Sequence, residues 1–288
     1  MLARKGIILA GGKGTRLFPL TKSISKQLLP IYNKPMIYYP LSTLMHADIR
    51  EILIITQSHF IPLYKGLFGD GSHLGLSIQY QAQDIPSGIA EAFIIGEDFI
   101  GNNPVALILG DNIFYGSELN SQLSFLSQST EINLFSCSVS NASQFGVLEY
   151  ENDNPIKIIE KPKAPPSNEV ITGLYFYNSD VVSVAKTLQK SERGELEITD
   201  INNHYLLKKT AKVNKLSRET LWLDTGSFEN LQQCSQIIYS IEKNTKIMIG
   251  CIEEIAFQKA WINKKTIKEI ADSMSDNDYS RYLNTYED

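Results

Sequence analysis

Short apolar runs alternate with helical patterns through the first 110 residues. Residues 6–10 (GIILA), 52–56 (ILIIT) and 105–109 (VALIL) are unbroken apolar runs of the length of buried strands, and 76–81 alternates like a half-buried one. Between them the spacing predicts helices over 35–46, with Pro35 in the first turn, over 60–68, and over 88–95 behind a Ser87 cap. Such a rhythm calls for crossover helices and a mostly parallel sheet. Residues 132–138, 146–150, 156–160 and 170–177 read as further strands, split by turn clusters at 151–155 (ENDNP) and 163–167 (KAPPS). Helices are predicted over 180–189, 199–208 and 228–243. The last carries Leu231, Cys234, Ile237, Ile238 and Ile241 on one stripe. Beyond Cys251 the pattern is helical to the end. The expectation is one α/β domain over 1–288 with a small helical C-terminal appendage.

Composition narrows the chemistry. The 288 residues are 43% hydrophobic and 20% charged, ordinary for a globular chain with a full core. The net charge of −5 argues against a generic nucleic-acid or anionic-membrane binder, while a local basic pocket remains compatible with it. Cys137, Cys234 and Cys251 form no CxxC pair, so neither a disulfide framework nor a thiolate zinc site is expected, and a reduced, cytoplasmic compartment is the simplest reading. His46, His59, His73 and His204 form no HExxH pair and read as surface or packing residues. No apolar run approaches the roughly 18 residues of a membrane span, and the first run is too short for a signal-peptide core.

The strongest local signal is the stretch from Leu9 to Leu17, LAGGKGTRL. A buried strand runs into Gly11, Gly12 and Gly14, then Thr15 and Arg16. Glycines let backbone N–H groups approach a phosphate closely, and Lys13 and Arg16 add positive charge. The spacing is neither a P-loop nor a dinucleotide fingerprint, since the latter needs glycine where Leu17 stands. A flexible strand-to-helix turn would use the same glycines. Lys26 follows in KQLLP; a lone lysine is usually a solvated charge, but this one lies close behind the loop.

The stretch LAGGKGTRLFPLT followed by KQLLP resembles the signature of the sugar-nucleotide nucleotidyltransferases, and more narrowly of the glucose-1-phosphate thymidylyltransferases. KPMIYYPLSTLM (34–45), LGDNIFYG (109–116), EKP (160–162), TGLYFY (172–177), RGELEITDIN (193–202), WLDTG (222–226) and CIEEIAF (251–257) resemble that family in the same order across nearly the whole chain. The resemblance implies a Rossmann-like, mixed and mostly parallel sheet flanked by helices. It divides the chain into a nucleotide-binding half (1–115), a β-rich sugar-phosphate-binding half (116–227) and a helical C-terminal region (228–288). The implied reaction joins dTTP to glucose 1-phosphate, giving dTDP-glucose and pyrophosphate, as a first step toward dTDP-deoxysugars such as dTDP-rhamnose. Both reactants are polyanions, so positioning and electrostatics should supply most of the catalysis.

On this resemblance Arg16 and Lys26 neutralise the triphosphate, and Leu9, Gly11, Gly12, Gly14 and Thr15 cradle the nucleotide. Asp111, at the carboxyl end of an apolar strand, and Asp224 hold Mg²⁺, which favours one or two carboxylates plus phosphate oxygens. Either aspartate could equally be a turn or helix cap. Lys161 grips the sugar phosphate, Glu160 binds sugar hydroxyls, and Gly146, Thr172, Gly173, Tyr175 and Arg193 line the same pocket. Glu195 is a weaker member, since an acidic residue near a helix start needs no ligand. Gln83 is the candidate for reading the base, because its amide offers one acceptor and one donor to thymine or uracil. Pro86 and Gly88 would make room for that base. Phe145 and Phe18 stand where the family pattern commonly has tyrosine. Tyr115, Gly116, Arg218, Glu254 and Lys259 match a regulatory nucleotide site between subunits of homotetrameric relatives, with Gln258 departing from it. Expected partners are therefore dTTP and glucose 1-phosphate, without nucleic acid or membrane. A uridylyltransferase, a thymidylyltransferase for another sugar 1-phosphate, and a non-catalytic sugar-nucleotide sensor stand as alternatives.

Overall fold

The structure, a computed structural model, describes residues 3–287. Strand β1 (Lys5–Ala10) opens the fold and enters the glycine loop. Residues 30–35 then form a minimal hairpin of β2 (Pro30–Ile31) and β3 (Lys34–Pro35), turned at Tyr32 with φ 57°. Helix α1 (Tyr38–His46) therefore starts three residues later than its apolar pattern predicts, and Pro35 belongs to the hairpin. Ile31 is fully buried against Met36 and Tyr39, which holds the hairpin in place.

Strand β4 (Glu51–Thr56), helix α2 (Ile61–Phe68) and strand β5 (Ser77–Ala82) follow as predicted. Helix α3 (Glu91–Ile95) begins later than expected. Ser87 does not cap it: its hydroxyl donates to the Ile85 carbonyl at 3.3 Å. The backbone of this loop is instead paired with Leu196, whose N–H donates to the Ser87 carbonyl at 2.6 Å and whose carbonyl accepts from Ala90 at 3.2 Å. Helix α4 (Glu97–Ile100) leads to β6 (Val105–Leu109), β7 (Asn112–Tyr115) and α5 (Ser117–Ser127). Then come β8 (Ile132–Ser138), β9 (Gly146–Glu151), β10 (Asn154–Glu160) and β11 (Glu169–Tyr177). Helices α6 (Val181–Thr187) and α7 (Ile198–Leu207) precede β12 (Ala211–Lys215) and β13 (Leu221–Asp224).

Nine strands form one mixed sheet, with the path β10-β9-β11-β6-β1-β4-β5 and with β8 and β12 joined beside β11. Strands β6, β1, β4 and β5 are parallel, while β11 runs antiparallel to β6, β8 and β9. Helices cover both faces, which is why the central strands are continuously apolar. Ile8, Ile54 and Ile108 point to one core, and Ile7, Leu53 and Leu107 to the other. A separate antiparallel pair, β7 with β13, places Asp224 opposite Asn112.

The C-terminal part is α8 (Phe228–Thr245), α9 (Ile252–Gln258), α10 (Lys264–Ser273) and α11 (Asp278–Leu283). Ser227 caps α8. Helix α9 carries two buried acids, Glu253 and Glu254. The Tyr279 hydroxyl donates to Glu253, and those of Tyr282 and Tyr286 donate to Glu254. Burial pushes the Glu253 carboxyl upward. Among the described residues no helix is long and apolar enough to cross a membrane.

Candidate active site

The carboxyl ends of β1 and β6 deliver the glycine loop and Asp111 to one edge of the sheet, where open α/β sheets place their ligands. The loop is held by a 2.7 Å bond from the Thr21 hydroxyl to the Gly14 carbonyl. A small cavity of about 170 Å³ lies over it, lined by Gly12, Gly14, Thr15, Arg16, Lys26, Asp111 and Gly226 among others. A larger cavity of about 720 Å³ adjoins it and shares Arg16 and Asp111. Gly146, Glu160, Lys161, Thr172, Gly173, Tyr175 and Asp224 all line the larger one. The structure thus brings the two halves of the expected site together at Arg16 and Asp111.

Lys26 is only 7% exposed and its Nζ lies 2.5 Å from Asp111 Oδ2. Burial works to raise the Asp111 carboxyl, but Lys26 and the Asn112 amide outweigh it and hold Asp111 below the usual carboxylate range. Asp224 is the opposite case: burial and the facing Asp111 charge push it up to about 6, against the pull of Lys26, Arg16 and Lys161. Two acids in one pocket with divergent proton affinities suit a site that gathers further positive charge. A Cβ built on Gly226 would lie 2.9 Å from Asp224 Oδ2 and 3.1–3.2 Å from the Arg16 guanidinium nitrogens, so both side chains pass over this glycine. Arg16 is exposed and forms no ion pair among the described residues.

Asn112, which was not among the expected site residues, lines the larger cavity beside Asp111. Its Nδ2 donates to Asp111 Oδ1 at 3.0 Å, and its Oδ1 accepts from Trp222 Nε1 at 2.7 Å and from the Gly173 N–H at 3.1 Å. One amide therefore ties the acid to β11 and β13. Its signal was present, since Asn112 and Trp222 both fall inside the motifs quoted for Asp111 and Asp224.

On the sugar side, Glu160 Oε2 accepts from the Thr199 hydroxyl at 2.6 Å, while Oε1 lies 3.6 Å from Arg193 and 3.7 Å from Lys161. Lys161 sits at φ 43°, in the left-handed region that non-glycine residues rarely adopt and that often marks a functional turn. Its amine is half-exposed and points no strong ion pair inward. Arg193 also binds Glu195 at 2.6 Å and Glu197 at 3.1 Å, and lies outside the cavity wall. The Thr172 hydroxyl is spent on the Phe135 carbonyl at 3.1 Å. Phe145 lines the cavity and packs edge-on against Trp222.

Leu9, Gly11, Gln83, Pro86 and Gly88 line neither of these two cavities. Gln83 is buried, and its Nε2 donates to Glu91 at 2.7 Å. Of the expected regulatory residues, Tyr115 and Gly116 meet the segment just after Arg218, through the Tyr115–Leu221 pair and the contact of Gly116 with Thr220. Glu254 is occupied by Gln258, Tyr282 and Tyr286, and Lys259 by Asp48 and the His46 carbonyl. The structure does not join these two groups within one chain.

The two carboxylates fit a divalent ion that completes its shell with phosphate oxygens and water. Among the described residues no group of three or more His, Cys, Asp and Glu is arranged to hold a metal by protein ligands alone.

Comparison with known proteins agrees with this geometry. The model of the nucleotidyl transferase family matches residues 5–240. A protein of Neisseria meningitidis named glucose-1-phosphate thymidylyltransferase is 48% identical over 281 residues, 97% of this chain and 98% of that protein. A crystal structure from Bacillus anthracis, solved with sucrose, superposes with a TM-score of 0.75 at 42% identity, covering 82% of this chain and 95% of that one. A UDP-glucose pyrophosphorylase solved with UDP-glucose superposes at 0.72 with 25% identity, covering 83% and 99%. With a family model spanning most of its length over a sheet and site of this form, the chain belongs to the nucleotidyl transferase family.

Proposed function

We propose that this protein is a transferase that moves a thymidylyl group from dTTP to glucose 1-phosphate, giving dTDP-glucose and pyrophosphate, the entry to dTDP-deoxysugars. One observation carries the reading: Arg16 and Asp111 stand at the junction of a glycine-loop cavity and a larger cavity lined by Glu160 and Lys161. A nucleotide and a sugar phosphate placed in the two would meet there. The sugar-phosphate oxygen forms a bond to the α-phosphorus while the bond to the β-phosphate bridging oxygen breaks, and pyrophosphate leaves. No covalent enzyme intermediate is needed.

Lys26 and Arg16 offset the charge that gathers at the α-phosphorus, and Lys161 holds the sugar phosphate. Glu160 accepts from sugar hydroxyls. Asp111 and Asp224 would hold Mg²⁺, which supplies charge neutralisation and orientation of the phosphates. Gln83 reads the base. Thymine and uracil differ by one methyl group, worth about 1 kcal/mol in a fitting pocket, so modest use of UTP is expected. The same reading assigns 1–115 to the nucleotide and 116–227 to the sugar phosphate. It expects a cytoplasmic homotetramer, which sedimentation of the purified protein checks.

The test is a substrate matrix: protein, Mg²⁺, pyrophosphatase and glucose 1-phosphate with dTTP, UTP, dCTP, ATP or GTP, reading released phosphate. Fastest turnover with dTTP supports the reading. Fastest turnover with UTP replaces it with a uridylyltransferase. Absence of turnover with every nucleotide, repeated with other sugar 1-phosphates in place of glucose 1-phosphate and with dTDP-sugars still bound, replaces it with a sensor.

A further inference from the structure

An amide side chain can present either its oxygen or its nitrogen, and the choice decides which bases it accepts. Gln83 is 4% exposed, and its Nε2 meets Glu91 Oε2 at 2.7 Å and the Gly88 carbonyl at 3.4 Å. Both partners accept only, so the amide cannot turn over without setting two oxygens against each other. Its Oε1 is thereby left facing Gly11, where an added Cβ would collide with that oxygen. Glu91 itself is placed by the first turn of α3, and the Gly88 carbonyl by the Leu196 pairing on either side of it.

We infer that Glu91 is a positioning residue for base selection: its carboxylate fixes the Gln83 amide with the oxygen toward the base. The inference rests on the proposed role of Gln83 and deepens it. A fixed acceptor takes the N3–H of thymine or uracil. The second Nε2 hydrogen, held by the long 3.4 Å contact to the Gly88 carbonyl, can be shared with a base carbonyl. Cytosine presents a lone pair at N3 and an amine at C4, so it meets an oxygen with a lone pair and an N–H with an N–H. The rejection is built by Glu91 acting through Gln83.

Three substitutions separate orientation from mere packing. Glu91→Gln can present either an acceptor or a donor and so orients Gln83 less firmly, Glu91→Leu removes the acceptor, and Glu91→Lys offers only donors and favours the flipped amide. The readouts are kcat/KM for dTTP and dCTP with glucose 1-phosphate, and the thermal shift produced by dTDP and dCDP without sugar. The dTTP-to-dCTP ratio should fall at least about tenfold in Glu91→Leu and further in Glu91→Lys, mainly through KM, because the base is remote from the reacting atoms. Glu91→Gln should fall between the parent and the leucine variant, since its amide can meet either orientation of Gln83. Equal losses for both nucleotides, or an unchanged ratio in the leucine and lysine variants, overturn the inference. A parent protein that turns over neither nucleotide refutes the proposed reaction instead, and the dTDP and dCDP shifts still report the amide's orientation.

Discussion

Lys26→Met is the substitution whose consequences the structure defines most closely. It removes a nearly buried ammonium 2.5 Å from Asp111 and leaves the side-chain volume almost unchanged. At an effective dielectric of about 20, unit charges at this separation attract by about 7 kcal/mol, most of which is offset by the desolvation of both groups. Truncating one partner of a buried pair nonetheless costs about 3–5 kcal/mol, because the other charge remains. Here the stranded charge faces a second acid, since Asp224 already feels Asp111. A loss of about 3 kcal/mol lowers Tm by roughly 5 °C in a chain of this size. Turnover should fall about 10²–10³-fold, as for loss of one strong electrostatic contact in an active site. Added Mg²⁺ should recover more of the lost Tm in the variant than it adds to the parent, because the metal replaces the missing positive charge. Scanning calorimetry with and without Mg²⁺ and the coupled phosphate assay measure both. A variant melting within 1 °C of the parent, at undiminished turnover, would refute the assignment of Lys26 to this acid pair.

Other outcomes follow from the same geometry. Arg16→Ala should leave stability within about 0.5 kcal/mol, because Arg16 is exposed and unpaired in the fold, yet cut kcat about 10²–10³-fold; denaturant unfolding beside initial rates separates the two. Asp111→Asn and Asp224→Asn should each shift Mg²⁺ dependence to higher concentration, and unchanged titrations in both would remove them as ligands. Asn112→Ala strands the Trp222 and Gly173 donors, a loss of about 2–6 kcal/mol at roughly 1–3 per buried unsatisfied group, visible as a lowered urea midpoint. His46 carries the pH prediction. Burial, with a smaller contribution from Lys259, lowers it to about 4 from 6.5, so the unfolded chain binds the proton first. Its stabilising effect is intact above about pH 6.5 and is lost as the pH falls through about 4, up to about 3 kcal/mol before discounting its partial exposure. His46→Gln should flatten urea midpoints between pH 7 and pH 4.5; an equally steep fall would place the effect elsewhere.

Strands β1, β4, β6 and β11 were legible because each is buried on both faces and so reads as a nearly unbroken apolar run, whereas β12 (AKVNK), half-exposed and polar, gave no such signal. The pair β7–β13 was not, since each is only four residues long and follows or precedes a turn. That pair is what sets Asp224 beside Asp111, so the two acids could be named from motifs while their juxtaposition could not. The start of α3 was misplaced for a related reason. Ser87 has the chemistry of a cap, but Leu196, more than a hundred residues later, claims the backbone of that loop. Gln83 could be nominated from its amide alone. Its fixed orientation depends on Glu91, which in sequence is one more acidic residue at a helix start.

The three tyrosines of the tail have a consequence for handling the protein. Glu253 and Glu254 face no cation at hydrogen-bonding distance among the described residues, and phenol hydroxyls do most of the work of water for them. A chain shortened before Asn277 would keep both acids inside and lose the hydroxyls that solvate them, at about 1–3 kcal/mol for each acceptor left dry. The last ten or so residues are thus a lining of the interior rather than an appendage, and trimming them for crystallisation would unmake the floor on which α9 rests.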